Sequence, residues 1–261
     1  MAEYFLISFL ASIVGAICGI GGGVIIKPVM DLFRLETVST INFLSCCTVL
    51  SMSLYSVGRT MLAGEKKVEL RTGTPLALGA AVGGVIGKEL FQLVKSAFAN
   101  QNTAGAVQAG CLAAVTVGTL VYTVMRSRIC TRRIENPAGC IGIGLALGVM
   151  SSFLGIGGGP INLVVLYYFF SMDTKTAAAN SLYIILFSQA ASFISTLMTH
   201  SVPAFRIGSL VCMVAGGIGG GIVGRAFNKK LDNHAVDRLF IGLMAVIIGI
   251  SLYNVHIGLT A

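Results

Sequence analysis

The chain contains no tryptophan, and only 11% of its residues are charged, where soluble domains carry about 25%. Acidic residues are scarcer than basic ones, ten Asp and Glu against 18 Lys and Arg, and none lies deep in an apolar run. That absence leaves no obvious carboxylate relay for protons through a membrane interior. The three histidines, His200, His234 and His256, stand at or beyond the ends of apolar runs without metal-ligand spacing. The seven cysteines include no CxxC pair, and no Ser/His/Asp or metalloprotease pattern occurs. An enzyme, a metal site and a bound cofactor are therefore not expected. Most cysteines lie within apolar runs and read as small buried hydrophobes, with Cys46-Cys47 the one adjacent pair.

What fills the chain is apolar. Hydrophobic residues make up 55% of it and the mean hydropathy is +0.88, which points to an all-α polytopic protein of the cell membrane. The net charge of +8 is not a nucleic-acid footprint, because the basic residues cluster between apolar runs, where they orient a membrane protein. Glu3 precedes the first run, and neither a basic leader nor a small-residue cleavage site is evident. That run is expected to stay in the mature protein.

Cutting the chain at charges and turn residues gives eight apolar segments: Tyr4–Met30, Thr37–Gly58, Thr72–Val94, Thr103–Met125, Ala138–Phe170, Thr174–Thr199, Phe205–Phe227 and Val236–Leu259. Inside the first lies Gly19-Ile20-Gly21-Gly22-Gly23. The same five residue types recur, in the same order, at Gly155 to Gly159, 136 residues on. A glycine within a helix costs roughly 1 kcal/mol against alanine, so two such boxes imply that the backbone is broken for a purpose. Asn42 and Asn180 follow the boxes at an offset of 138, and Gly83 to Lys88 matches Gly220 to Arg225 at 137. The chain thus reads as two repeats, 1–125 and 138–261, joined by a basic connection at 126–137.

The fifth segment is too long for one crossing. No charge interrupts the 37 positions between Glu135 and Asp173, roughly 55 Å as a continuous helix against a hydrocarbon core of about 30 Å. Its box and Pro160 fall near the middle, so segments 1 and 5 are expected to be broken or re-entrant. Loop charges favour this. If every segment crosses, Lys and Arg divide nine against nine; if segments 1 and 5 are re-entrant, they divide 13 against five. The repeats are then inverted, the side with 13, which includes Arg59, Lys66, Lys67 and Arg71, is cytoplasmic, and both termini are extracytoplasmic.

Inverted repeats with broken helices are the architecture of secondary transporters. A helix interrupted in the membrane exposes unpaired N–H groups and the positive end of its dipole, and glycine lets an anion approach that backbone. The expected substrate site is therefore the space between the breaks, at Gly21, Gly22, Gly23 and Gly157, Gly158, Gly159. Asn42, Asn180, Ser181, Ser188 and Gln189 are candidate polar contacts, and Lys27 a candidate fixed charge. For each polar residue, helix-to-helix hydrogen bonding is the competing reading, and for Lys27 it is anchoring at the interface. Gly79, Gly83, Gly87 and Gly216, Gly220, Gly224 recur every four residues, the spacing of close helix packing within the bundle or between two copies of a homodimer. Lys88 and Arg225 read as interfacial anchors without a site role.

The paired boxes, Pro28 after the first, the Ala177-Ala178-Ala179-Asn180-Ser181 stretch and the glycine-rich third and seventh segments make the chain resemble the TauE/SafE family of membrane transporters, sulfite exporters and sulfonate permeases. Two departures stand out: Asn180 where the family often has Thr, and no Asp-Trp pair before segments 3 and 7. The resemblance implies carriage of a small sulfur-containing oxyanion or sulfonate. An anion moving down an inside-negative potential, worth ~2.3 kcal/mol per charge per 100 mV, would leave the cell, so export is modestly favoured. Sodium or proton coupling remains open. The alternatives are an anion channel and a membrane scaffold without flux of its own.

Overall fold

Glycine ends the first helix where a side chain would not fit the turn. Gly19 caps α1 (Ala2–Cys18) in the left-handed conformation at φ 74°, with its N–H returned to Gly15 O. Gly21 follows at φ 72°, and α2 (Gly23–Leu32) begins two residues later. The second box does the same over a longer stretch. α6 (Pro137–Phe153) stops, Gly155, Gly157, Gly158 and Gly159 all take positive φ, and α7 (Pro160–Phe170) starts on a proline whose missing N–H is not needed there. The run 138–170 is therefore two helices rather than one.

The computed structural model describes residues 1–33, 35–64, 68–97 and 101–260, so Lys66 and Lys67 lie outside the described residues. Among the described residues there are ten α-helices, one short 3-10 turn at Arg126–Arg128 and no strand. Six of the helices are long and apolar enough to cross a membrane: α3 (Val38–Leu62), α4 (Leu70–Ala97), α5 (Gln101–Met125), α8 (Thr174–Met198), α9 (Ile207–Lys230) and α10 (Asn233–Thr260). The other four are the short helices on either side of the two boxes. Cutting at charges and turn residues makes some segments too short. α4 extends past Arg71 at one end and Lys95 at the other, and α10 begins at Asn233, because a polar or charged side chain at a helix end can reach water without ending the helix.

Two glycine faces bring helices into backbone contact. On α4, a Cβ at Gly79, Gly83 or Gly87 would collide with the carbonyl oxygens of Ile141, Leu145 and Val149 on α6. On α9, Gly216, Gly220 and Gly224 meet the carbonyls of Phe5, Phe9 and Ile13 on α1 in the same way. The first short helix of each broken pair is thus packed on the glycine helix of the other half. Both faces are filled within the chain.

Contacts between connections gather the helix ends into two groups. At one end Met1 touches Gly208, Tyr4 donates to Glu36, Thr40 donates to Ala204 O and Asn254 donates to Pro28 O. At the other, Arg126 pairs with Asp237 at 3.8 Å, Thr174 donates to Asp237, Arg132 N–H donates to Tyr168 O and Asn233 donates to Asp173. α1 starts at the first end, and α6 starts at the second.

Candidate functional site

The two breaks touch. A Cβ on Gly21 would stand 3.7 Å from Gly157 O, and one on Gly23 would strike Ile156 O. Val49 of α3 and Ile185 of α8, both fully buried, fill what space is left. Val49 Cγ1 lies 3.3 Å from the Cβ position of Gly21 and 3.2 Å from that of Gly157, while Ile185 packs on Gly21 and Gly158. Among the described residues, the expected space between the boxes is occupied by two aliphatic side chains.

The cavity lies to one side, against the second break. It holds about 90 Å³ and reaches the end of the bundle where Met1 and Gly208 meet. α3 lines it with Ser39, Asn42 and Cys46, α4 with Lys88 and Gln92, the last turn of α6 with Ser152, and the break with Gly155 and Gly157. Gln189, Ser192 and Thr196 of α8 and Ser201 beyond it close the opposite wall, with Phe43, Phe91 and Pro203 as its apolar parts. Among the described residues Lys88 is the one charged residue of the lining, and no carboxylate lines the cavity.

The packing of α4 explains why Lys88 faces inward. A Cβ on Gly84 would lie 2.9 Å from Ser188 Oγ and 3.2 Å from Ser192 Oγ on α8, and Lys88 is one turn further along that face. Its ammonium donates to Ser201 Oγ at 3.1 Å and Thr199 Oγ1 at 3.3 Å, bonds that bridge the end of α8 and the connection after it. Gln92 and Lys95 continue the stripe, and Lys95 donates to Ser39 Oγ at 2.7 Å at the rim. Ser152 and Ser192 bridge the last turn of α6 to α8 at 3.0 Å. A cation among hydroxyl and amide groups, with no carboxylate in the described lining of the cavity, is chemistry suited to an anion. Cys46 is half-buried with its thiol donating to Gln189 O at 3.7 Å.

Of the residues the sequence nominates, Asn42, Gly157 and Gln189 line this cavity. Gly21 and Gly23 meet the other break, Gly22 packs on Ser12, Gly158 on Ile185 and Gly159 on Ile156. Lys27 is 2% exposed and fully engaged. It donates to Asn42 Oδ1 at 2.8 Å and Gln108 Oε1 at 2.5 Å, and pairs with Asp31 at 3.8 Å. Gln108 in turn donates to Phe153 O at 2.6 Å, so the network joins α2, α3, α5 and the end of α6. Asn180 is fully buried near the opposite end, accepting from Glu69 N–H at 3.0 Å and donating to Thr176 O at 2.9 Å. Ser181 and Ser188 are buried outside the cavity lining, their hydroxyls without a hydrogen-bond partner among the described residues.

Sequence reasoning passed over Lys88, Gln92, Thr196 and Ser201. The available signal was the spacing of Lys88 from Gly84, which puts a charge on a helix-packing face rather than on a lipid face. Among the described residues no group of three or more His, Cys, Asp or Glu is placed to hold a metal ion.

Comparison with known proteins gives this arrangement a lineage. The family model described as Sulfite exporter TauE/SafE matches residues 4–252. The chain belongs to this family. A curated relative from Bacillus subtilis (strain 168), named "Probable membrane transporter protein YunE", is 23% identical over 270 residues, covering 95% of each chain. No solved structure matches. As a TauE/SafE member with six apolar helices of crossing length, the protein is a multi-pass membrane protein of a transporter family.

Proposed function

We propose that this TauE/SafE protein is a secondary transporter of a small anion, bound in the cavity beside the second break with Lys88 as its fixed positive charge. The observation that carries this reading is that, among the described residues, Lys88 is the only charged one lining a cavity whose polar groups are hydroxyls, amides and backbone, set between Phe43, Phe91 and Pro203. A sulfur oxyanion or small sulfonate suits the site: about 90 Å³ admits a compact polyoxygen anion, and the serine and threonine hydroxyls donate to its oxygens.

The inverted arrangement of 1–125 and 138–261 is supported by the opposite starting ends of α1 and α6 and by their reciprocal packing on α9 and α4. With the end rich in Lys and Arg in the cytoplasm, the termini and the cavity mouth face outward. Export remains the favoured direction, driven by the membrane potential. The packed contact of Val49 and Ile185 supports a carrier over a continuously open channel.

The test is charge movement in proteoliposomes on a solid-supported membrane. The panel is sulfite, sulfate, thiosulfate, sulfoacetate, taurine, acetate and chloride, each with and without a sodium gradient. Saturable currents for a sulfur oxyanion or sulfonate, abolished in a folded Lys88→Gln protein and retained in Lys88→Arg, are expected. Silence across the panel from folded, correctly inserted protein would overturn the reading in favour of a scaffold.

A further inference from the structure

A second cavity lies at the other end of the bundle, and the internal repeat maps it onto the first. It holds about 50 Å³ and is lined by Ser56 and Thr60 of α3, Arg225 and Lys229 of α9, and Lys175 and Ala179 of α8. Arg225 corresponds to Lys88 at an offset of 137, and Ser56 and Thr60 correspond to Ser192 and Thr196 at 136. α3 and α8 exchange places: each lines the first cavity with one end and the second cavity with the other. Val49 and Ile185, themselves 136 apart, stand at the contact between the two breaks.

The cations also hold equivalent bonds. Lys88 ties α4 to the end of α8 through Thr199 and Ser201. Arg225 ties α9 to the end of α3 through Ser56 O at 2.8 Å, Thr60 Oγ1 and Arg59 O at 3.3 Å. Among the described residues three cations and no carboxylate line the second cavity, and the field of those cations favours anions as that of Lys88 does.

We propose that the second cavity is a second anion site, the cytoplasmic station of the same pathway, with Arg225 the counterpart of Lys88. This rests on the transport reading above. In the state described here Arg225 donates to α3 and its end is the tighter one. When that end opens, the guanidinium exchanges those carbonyl and hydroxyl acceptors for the anion, while Lys88 closes the other mouth. The lysine-to-arginine difference makes the cytoplasmic site the more bidentate of the two.

Single cysteines at Ala179 and Thr196, in a background without the native cysteines, report on the two cavities and avoid both clamps. They are treated with membrane-impermeant thiosulfonates, one anionic and one cationic, from each side of oriented proteoliposomes. The Ala179→Cys thiol is expected to react from the basic side, faster with the anionic reagent by about tenfold. Arg225→Gln should bring that ratio within about twofold, while Arg225→Lys keeps it. Opening of the basic end by Arg225→Gln should also slow Thr196→Cys modification from the other side about fivefold. A ratio near one in the parent, a ratio insensitive to Arg225→Gln, or an unchanged Thr196→Cys rate would overturn the proposal. Currents recorded from the same liposomes separate the two readings. Currents with failed labelling sink only the second site, whereas the labelling decides the second site even where no anion of the panel gives a current.

Discussion

Lys27 donates to Asn42 Oδ1 at 2.8 Å, and the bond makes a strut of two residues that the sequence marks as anion contacts. Asn42 still presents itself to the cavity, but Lys27 is 2% exposed and is satisfied by Asn42, Gln108 and Asp31. The cation that lines the cavity is Lys88.

Lys27→Ala should therefore act on stability before transport. It leaves Asp31, 17% exposed, without its cation and strips the buried Gln108 and the half-buried Asn42 of a donor, a loss of about 3–5 kcal/mol. Thermal unfolding in detergent would show it as a large drop in midpoint. The pair Lys27→Leu with Asp31→Asn removes the orphaned charge and should recover much of the loss; Leu163 occupies the matching place in the second half and is buried there.

The glycine faces allow a paired prediction. Gly83→Ala would press a methyl against Leu145 O, and Gly220→Ala against Phe9 O. Each should cost about 1–3 kcal/mol because backbone cannot move aside as a side chain can. Gly242→Ala on α10, where nothing lies within 4 Å, should be neutral. Equal losses at the two faces with no change at Gly242, read by thermal unfolding, would establish the matched packing.

These cases also mark what the sequence can and cannot disclose. The breaks were legible because four glycines in five positions cannot pack as a helix as well as other residues, and positive φ at Gly155, Gly157, Gly158 and Gly159 is the use to which they are put. The placement of Asn180 was not legible, because its partner, the Glu69 N–H, comes from a connection that no spacing rule ties to α8. The place of Lys88 in the cavity lining was not legible for a related reason. A lysine near a helix end looks the same whether it faces lipid or a neighbour, and only the fit of Gly84 against α8 decides between them.

Topology has a direct test. Val202, exposed beyond α8, and Arg132, exposed before α6, lie in connections at opposite ends of the bundle. In cells, an impermeant thiol reagent should modify Val202→Cys and leave Arg132→Cys untouched until the membrane is permeabilised. The reverse pattern would place the basic end outside and invert every statement about direction.

Lys95 offers an electrostatic prediction distinct from that for Lys88. It bonds Ser39 at the rim, where its charge attracts an incoming anion without holding it. Lys95→Ala should raise the half-saturating anion concentration about threefold at low salt and leave the maximal current unchanged. The difference should fade above roughly 0.5 M salt, where screening is short-ranged. A fall in maximal current would mean that Lys95 contacts the anion in the bound state.

The aliphatic contact at the centre should be the barrier itself. Val49 and Ile185 are both fully buried and press on Gly21, Gly157 and Gly158, so neither half of the path connects through them in this state. Replacing one side chain shortens the barrier. Replacing both with serine removes it and supplies hydroxyls that water can follow. Val49→Ser with Ile185→Ser should therefore give a chloride leak, non-saturating and present without a counter-substrate, while counterflow of the transported anion falls. Each single variant should leak less than the pair by more than additivity allows, because an apolar plug fails only when its last layer is wetted. A double variant that folds, holds the membrane tight and still exchanges anion would show that the seal lies elsewhere, and the next place to look would be the Arg225 clamp on Ser56 and Thr60.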